Sequence, residues 1–491
     1  VDEEPTRRAA GRADPLRAGA LVFGASGAVL VLEIVAGRML APYVGVSLET
    51  FTGIIGTCLA GIAVGAAVGG RTADRVEPGR LPALVAGALL LAGGLTWAAV
   101  PIVAALGPGL GSGPVSIVVL TAAGFGGPIV VLSALSPMVA KLRLHRLERT
   151  GTVVGGLSAA GTLGALAGTF LTGFVAVSLF SSTTIVVVTG GVLVAAGVVV
   201  AWRAGTRRVE PLAVVGLVVL AGGAVVTATP CEYETRYFCA RVVEDPDEPS
   251  VRHLYLDRLR HASVDLDDPT ALPIRYTRLF ADVAASLPEG PLDVLHVGGG
   301  GFSFPRYLSA VRPGTRNHVL ELDGDLVDIA RDRLALRTGE ALTVRVGDAR
   351  LALAEGDAGR YDLVVGDAFG GEAAPWHLTT VEVAREVHRS LRPGGVYVLN
   401  LIDGGRSRLV RAEAATLAEV FDHVGLVVPL GGVPPDGAVN QVLVASDEPV
   451  DGWSPGERDG WLLTGAELDR FVGDARPLTD DHAPVDQLIH R

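Results

Sequence analysis

LDVLHVGGGG at residues 292–301, followed by HVLELD at 318–323, decides how the second half of this chain folds. The first stretch is a short apolar run that ends in Gly298, Gly299, Gly300 and Gly301, with a helix predicted from about Ser303. Glycines between a strand and a helix let the backbone bend sharply and approach a ligand at the carboxyl end of the strand. HVLELD reads as a second strand ending in Glu321 and Asp323, where an acidic side chain accepts the hydroxyl protons of a ribose. Next, RVGDARLAL (345–353) sets Asp348 after a third strand and YDLVVGDAFGG (361–371) sets Asp367 at the end of a fourth. LRPGGVYVLNLI (391–402) then supplies a turn and a fifth strand. Strands alternating with helices predict a parallel sheet of βαβ units, so these carboxylates emerge at one edge, where open α/β folds bind ligands. Thr379 with Glu382 three residues on reads as a capping box. The pattern has no P-loop lysine and no metal-ligand cluster, so phosphoryl transfer and metal hydrolysis fit poorly and no metal is expected.

Towards the amino terminus the character changes. The chain has a mean hydropathy of +0.42 and only 19% charged residues, too apolar for an ordinary soluble protein. Apolar runs of about 20 residues place spans near 18–40, 51–70, 81–105, 114–140, 152–179, 182–202 and 211–229, seven in all. The polar start VDEEPTRRAAGRADPLR and the lack of a cleavage pattern read as a retained first span. Arg7, Arg8, Arg12, Arg17, Arg71, Arg75, Arg80, Lys141, Arg143, Arg146, Arg149, Arg203, Arg207 and Arg208 all fall on one side of these spans. The positive-inside rule makes that side cytoplasmic, and seven spans put the chain beyond residue 230 outside the cytoplasm. The net charge of −12 argues against a nucleic-acid partner.

Cys58 falls in a span, whereas Cys231 and Cys239 flank EYETRYF (232–238). A pair closing so short a loop predicts a disulfide in an oxidising compartment, the alternative being two buried free thiols. Glu33 and Arg38 lie in the first span, where ionisable groups are costly and mark function by default. Their alternatives are a structural pair, or Arg38 reaching for the interface. The fifth span carries two GxxxG spacings, Gly151 with Gly155 and Gly164 with Gly168, which read as helix packing. Between the halves, EYETRYFCARVV (232–243) and RHLYLDRLRHASVDL (252–266) predict a small β unit that forms a lid or one wall of the site. The organisation expected is therefore a tail at 1–17, a helical membrane domain at 18–229, a small β unit at 230–280 and a Rossmann-like domain at 281–491.

These segments resemble the spermidine synthase-like proteins fused to a membrane bundle with some likeness to the major facilitator superfamily. On the membrane side the resemblance rests on LEIVAGRMLAPYVG (32–45), GGRTADR (69–75) and AAGTLGALAGTFLTGF (159–174). On the other side it rests on VLHVGGGG, VLELDGDLVDIA, VGDAR, YDLVVGDAF, HLTTVEVAREVHRSLRPGG and the terminal LTDDHAPVD (478–486). The resemblance implies a class I methyltransferase-type fold that uses decarboxylated S-adenosylmethionine as co-substrate and moves an aminopropyl group to an amine of the polyamine class. It implies that Gly298, Gly299 and Gly300 line the ligand and that Glu321 holds the ribose. Asp348 with Ala349 would face the adenine, Asp367 would be the base, and Tyr237 and Tyr276 would flank the amine. The sequence departs from that pattern in two places: Gly301 stands where the family carries an acid, and Phe369, Gly370 and Gly371 stand where it carries a second. Methyl transfer from S-adenosylmethionine, and a non-enzymatic polyamine transporter or sensor, are the alternative expectations. A lipid bilayer is the expected surrounding of the first half, and a homodimer is left open.

Overall fold

Long runs of Ala, Val, Leu and Gly with almost no charge form helices whose backbone groups satisfy one another, the arrangement lipid demands. The structure, a computed structural model, describes residues 15–111, 113–144, 150–205, 211–370, 374–429, 438–449 and 460–489. Arg7, Arg8, Arg12, Arg146, Arg149, Arg207, Arg208 and Gly371 lie outside the described residues. By contacts the chain divides into two units, Val1–Phe238 and Cys239–Arg491.

In the first unit six helices among the described residues are long and apolar enough to cross a bilayer. They are α1 (Pro15–Val44), α2 (Leu48–Arg75), α3 (Leu81–Leu106), α4 (Pro114–Arg143), α5 (Thr150–Leu179) and α6 (Ser182–Arg203). The seventh expected span is a shorter apolar helix, α7 (Pro211–Val226), of 16 residues. At 1.5 Å per residue it is about 24 Å long, short of a hydrocarbon core of about 30 Å. Helix packing uses the second GxxxG spacing and not the first. A Cβ at Gly164 would overlap the Phe23 carbonyl and one at Gly168 the Gly27 carbonyl, so α5 lies backbone to backbone on α1. Gly151 and Gly155 face open space.

The two ends of this bundle differ. Lys141 Nζ lies 3.5 Å from Asp74 Oδ1, bringing the carboxyl ends of α2 and α4 together among Arg71, Arg75 and Arg143. Arg38, near the end of α1, donates to the carbonyls of Arg236 (2.7 Å) and Thr235 (2.5 Å), with its Nε 3.4 Å from Glu234 Oε1. Glu234 accepts in turn from the Ser182 backbone N–H at 2.9 Å and from its hydroxyl. Of the alternatives for Glu33 and Arg38, the structural pair is not made: Arg38 is committed to the segment after α7, which it holds where α1 ends and α6 begins. Cys231 and Cys239 are disulfide-bonded, and Cys58 is free and buried in α2.

The second unit begins with an antiparallel meander, β1 (Cys239–Glu244), β2 (Val251–Leu256) and β3 (Leu259–Asp265). An eight-stranded sheet follows: β4 (Asp293–Val297), β5 (Arg316–Glu321), β6 (Leu342–Val346), β7 (Tyr361–Gly366), β8 (Leu391–Gly404), β9 (His423–Pro429), β10 (Ala438–Ser446) and β11 (Gly460–Thr464). Its order is β11-β9-β10-β8-β7-β4-β5-β6. Pairs from β6 through β8 are parallel, while β8–β10, β10–β9 and β9–β11 are antiparallel. DVLHV is buried at every position, as a strand covered on both faces must be. At the starting edge of the parallel strands, Arg316 and Arg392 bind Asp293 at 2.6 and 2.7 Å, and Arg392 also binds Asp362 at 2.6 Å. The two guanidinium groups hold the Asp293 carboxyl at about 2 against the opposing effect of burial. The chain leaves β4 for β5 on one side and returns to β7 on the other, so the crevice beyond the carboxyl ends of β4 and β7 is the topological switch point.

Candidate active site

That crevice holds a cavity of about 150 Å³ whose walls include Gly298–Gly301, Tyr276, Asp367, Asn400 and Asn440. The glycine turn follows β4 directly. Gly298 has φ +99°, and a Cβ there would overlap the Asp367 carbonyl; Gly300 has φ +49°. Both conformations are left-handed and favour glycine. The turn feeds a helix at Ser303–Val311 through Phe302, itself at φ 55° and buried.

Asp367 follows β7, and its N–H donates to the Val297 carbonyl at 2.8 Å, tying the end of β7 to that of β4. The Tyr276 hydroxyl donates to its Oδ2 at 2.8 Å and Asn400 Nδ2 to its Oδ1 at 2.9 Å. Burial pushes the carboxyl up to about 6, with the bonds from Asn400 and Tyr276 pulling the other way. The same burial, together with the Asp367 charge, raises Tyr276 well above the usual phenol value. A carboxyl poised near neutrality and held by two donors is suited to take a proton.

Glu321 sits at the end of β5 and is buried. Its Oε2 accepts from the N–H groups of Gly299 (2.8 Å) and Gly300 (3.2 Å), and its Oε1 from Asp323 N–H at 2.9 Å. Burial raises its pKa against these three donors. Asp323 caps the helix Gly324–Arg333 by accepting from Asp325 N–H. Asp348 caps the helix that Ala349 opens, accepting from the N–H groups of Arg350 (2.8 Å) and Leu351 (3.3 Å). Three of the sequence motifs meet beside it: Arg350 of VGDAR forms a two-pronged ion pair with Asp480 of LTDDHAPVD, and Thr380 of HLTT donates to the same carboxylate at 2.8 Å.

Two expectations change. Thr379 and Glu382 do not form a capping box: the helix Val381–Ser390 starts after Thr380 with no side-chain cap. Thr379 instead donates to the Trp376 carbonyl in its own loop, and the carboxyl-terminal segment takes Glu382, which accepts from Asp480 N–H. Tyr237 belongs to the first unit, is exposed, and is not among the cavity residues, whereas Tyr276 is.

The Gly301 departure has a steric cause. A Cβ there would stand 2.5 Å from Ala262 Cβ on β3, so the meander closes on the turn and forms the expected wall. Sequence reasoning missed His261, His296, Asn400 and Asn440. Burial lowers both histidines to about 4, so both are neutral at pH 7. His296 Nε2 lies 2.9 Å from Asn317 Oδ1. The Oδ1 atoms of Asn400 and Asn440 are buried without a hydrogen-bond partner among the described residues. The signal available was a polar residue inside an apolar strand, as in VLNLI and VLHV.

No protein-family model matches the chain. Over 133 residues it is 32% identical to the polyamine aminopropyltransferase of Vibrio vulnificus, a match covering 27% of this chain and 44% of that protein. Over 168 residues it is 28% identical to the eEF1A lysine and N-terminal methyltransferase of Danio rerio, covering 32% and 23% respectively. Among solved structures, a probable spermidine synthase from Corynebacterium glutamicum covers 52% of this chain and 97% of its own at 26% identity and a TM-score of 0.47. The chain spans less than half the length of the Vibrio relative. The second unit has a Rossmann-type sheet order, and part of it is similar in sequence to transferases of both kinds.

Proposed function

We propose that the second unit transfers an aminopropyl group from decarboxylated S-adenosylmethionine to a small amine of the polyamine class. Asp367 carries this reading: an enclosed carboxyl raised to about 6 at the switch point, beside a glycine turn with no room for a side chain at Gly298. The amine nitrogen bonds to the carbon beside the sulfonium, the carbon–sulfur bond breaks with its electrons going to sulfur, and the nitrogen's proton passes to Asp367. Tyr276 and Asn400 hold that carboxylate in line. Gly298, Gly299 and Gly300 admit the nucleoside close to the backbone, Glu321 takes the ribose hydroxyls, and Asp348 with Ala349 borders the adenine. Glu321 Oε1, which accepts only from Asp323 N–H, keeps a lone pair for this, whereas the two glycine N–H groups fill Oε2.

The test is titration calorimetry of the full chain with 5′-methylthioadenosine, followed by transfer assays with donors tritiated in the aminopropyl or methyl group. Aminopropyl transfer lost in Asp367→Asn is expected; no binding of any S-adenosyl compound overturns the proposal. Methyl transfer is the second reading. It is favoured by the packing at Gly301, which leaves no side chain there to grip an aminopropyl amine, and methyl product without aminopropyl product would decide for it.

The proposal includes the setting. The bundle spans a cell membrane, the tail at 1–17 is cytoplasmic, and the second unit faces away from the cytoplasm. The seventh helix by itself is short of the hydrocarbon core, but Arg38 holds the segment that follows it at the end of the bundle opposite the basic residues, and this with the Cys231–Cys239 disulfide supports the reading. Impermeant maleimides should label both cysteines in intact cells only after reduction; labelling confined to opened cells would reverse the orientation.

A further inference from the structure

Glu33 lies in α1 and has no ion-pair or hydrogen-bond partner among the described residues. The arginine on its own helix cannot neutralise it, because Arg38 is spent on Glu234 and two carbonyls. One to two turns earlier on the same face, Val29, Leu30 and Ser26 border a cavity of about 370 Å³ lined by α1, α2, α4 and α5 and open on the side where Ser158 and Thr162 are exposed. Glu33 is also within electrostatic reach of Cys58, one turn from the cavity residue Ile62 on α2, so two helices place it at the same end of the cavity.

The cavity is lined by hydroxyls as well as alkyl groups. Ser26, Ser133, Ser136, Ser158 and Thr162 come from three helices. Thr162 returns its proton to the Ser158 carbonyl at 3.1 Å, while the other four hydroxyls make no hydrogen bond among the described residues. In a helix within lipid, such hydroxyls ordinarily bond back to the carbonyl one turn earlier, as Thr57, Thr96 and Thr121 do here. Four uncommitted hydroxyls border this space, and the unpaired carboxyl stands one turn beyond its α1 wall, a polar lining without its complement.

We propose that this cavity binds a primary alkylammonium ion, with the ammonium at Glu33, its remaining N–H groups served by the serine hydroxyls, and its alkyl body against Val29, Ile62, Leu132 and Leu157. A single carboxylate matches one positive charge. The volume and the alkyl walls disfavour a bare metal ion, which requires several oxygen ligands at short range. The site lies wholly in the first unit and does not depend on the group-transfer reading of the second.

The test uses the full chain in lipid nanodiscs and saturable binding of radiolabelled n-butylamine. Glu33→Gln should weaken binding about tenfold to hundredfold, the range for loss of a charge-assisted hydrogen bond. Ser133→Ala with Ser158→Ala should weaken it about threefold to tenfold. 1-Butanol, which has the same chain without the charge, should fail to compete. Unchanged binding in Glu33→Gln, or equal competition by butanol, overturns the proposal. Binding of 5′-methylthioadenosine is measured in the same preparations. Its retention in Glu33→Gln shows an intact chain, and its absence from the wild type would remove the group-transfer reading while leaving this site standing.

Discussion

Replacing Asp367 with Asn should abolish transfer and stabilise the second unit, two effects of opposite sign from one carboxyl. Its folded pKa of about 6 stands above the ordinary value of 3.8, so folding favours the protonated form. For an acid shifted upward, stability is undiminished below the unfolded pKa, falls as pH rises between the two values, and levels off above the folded one. A gap of about two units at 1.36 kcal/mol each makes the ionised carboxylate cost about 3 kcal/mol near pH 7.5 and about half that at pH 5. Asn carries no charge and keeps the shape. Its oxygen can accept from Tyr276, and if the Asn400 amide turns over, the unpartnered Asn400 Oδ1 accepts from the new amide nitrogen. Thermal unfolding of wild type and Asp367→Asn, in the same detergent at pH 5 and 7.5, should show a stability gap that widens by about 1–2 kcal/mol towards the higher pH. For a unit of this size that is a few degrees. A gap that stays constant, or narrows, refutes the assignment of a buried, upward-shifted carboxylate, whatever happens to activity.

Tyr276→Phe removes a donor that lowers the Asp367 pKa, so the acid limb of the pH–rate profile should move to higher pH with the fold intact; an unmoved limb would show that the bond is idle. Gly298→Ala forces a side chain at φ +99° into the Asp367 carbonyl and should lose nucleoside binding by calorimetry, whereas Gly290→Ala, also at positive φ but in open space, should keep it. Gly301→Asp should not restore an amine grip, because the new Cβ meets Ala262; improved affinity for an amine acceptor would contradict the packing. Asp480→Asn loosens the clasp on Arg350 and Thr380 beside the Asp348 loop and should weaken nucleoside affinity a few-fold, read as a change in KM with kcat little altered.

What could be read from the sequence came from local pattern. The glycine turn, the strand-end carboxylates and the apolar helices each depend on residues adjacent in the chain, and their order constrained the sheet. What could not be read depended on competition between distant segments. Thr379 and Glu382 have the spacing of a cap, but Asp480, about a hundred residues on, takes the hydrogen bonds of Thr380 and Glu382. Gly301 looked like an eroded site position, yet its lack of a side chain is what lets β3 close on the turn. Arg38 looked like a partner for Glu33 because they share a helix, but five residues place them on different faces, and a carboxylate beyond α7 claimed it. The antiparallel strands β9, β10 and β11 went unread, and with them Asn440.

The neutral histidines sharpen what a pH profile of this site would mean. A cavity holding two imidazoles would ordinarily leave any inflection near pH 6 assignable to either of them. Here His261 and His296 are buried and driven down to about 4, where charging either would place a cation in an apolar wall. Tyr276 moves the other way, out of the neutral range. Asp367 is therefore the one described cavity residue with a pKa brought close to neutrality, because the same burial acts with opposite sign on an acid and on a base. An activity limb near pH 6 that survives His261→Asn and His296→Asn and moves in Tyr276→Phe identifies the base by chemistry. A limb that disappears with either histidine would mean that the wall is wetter than the buried side chains imply.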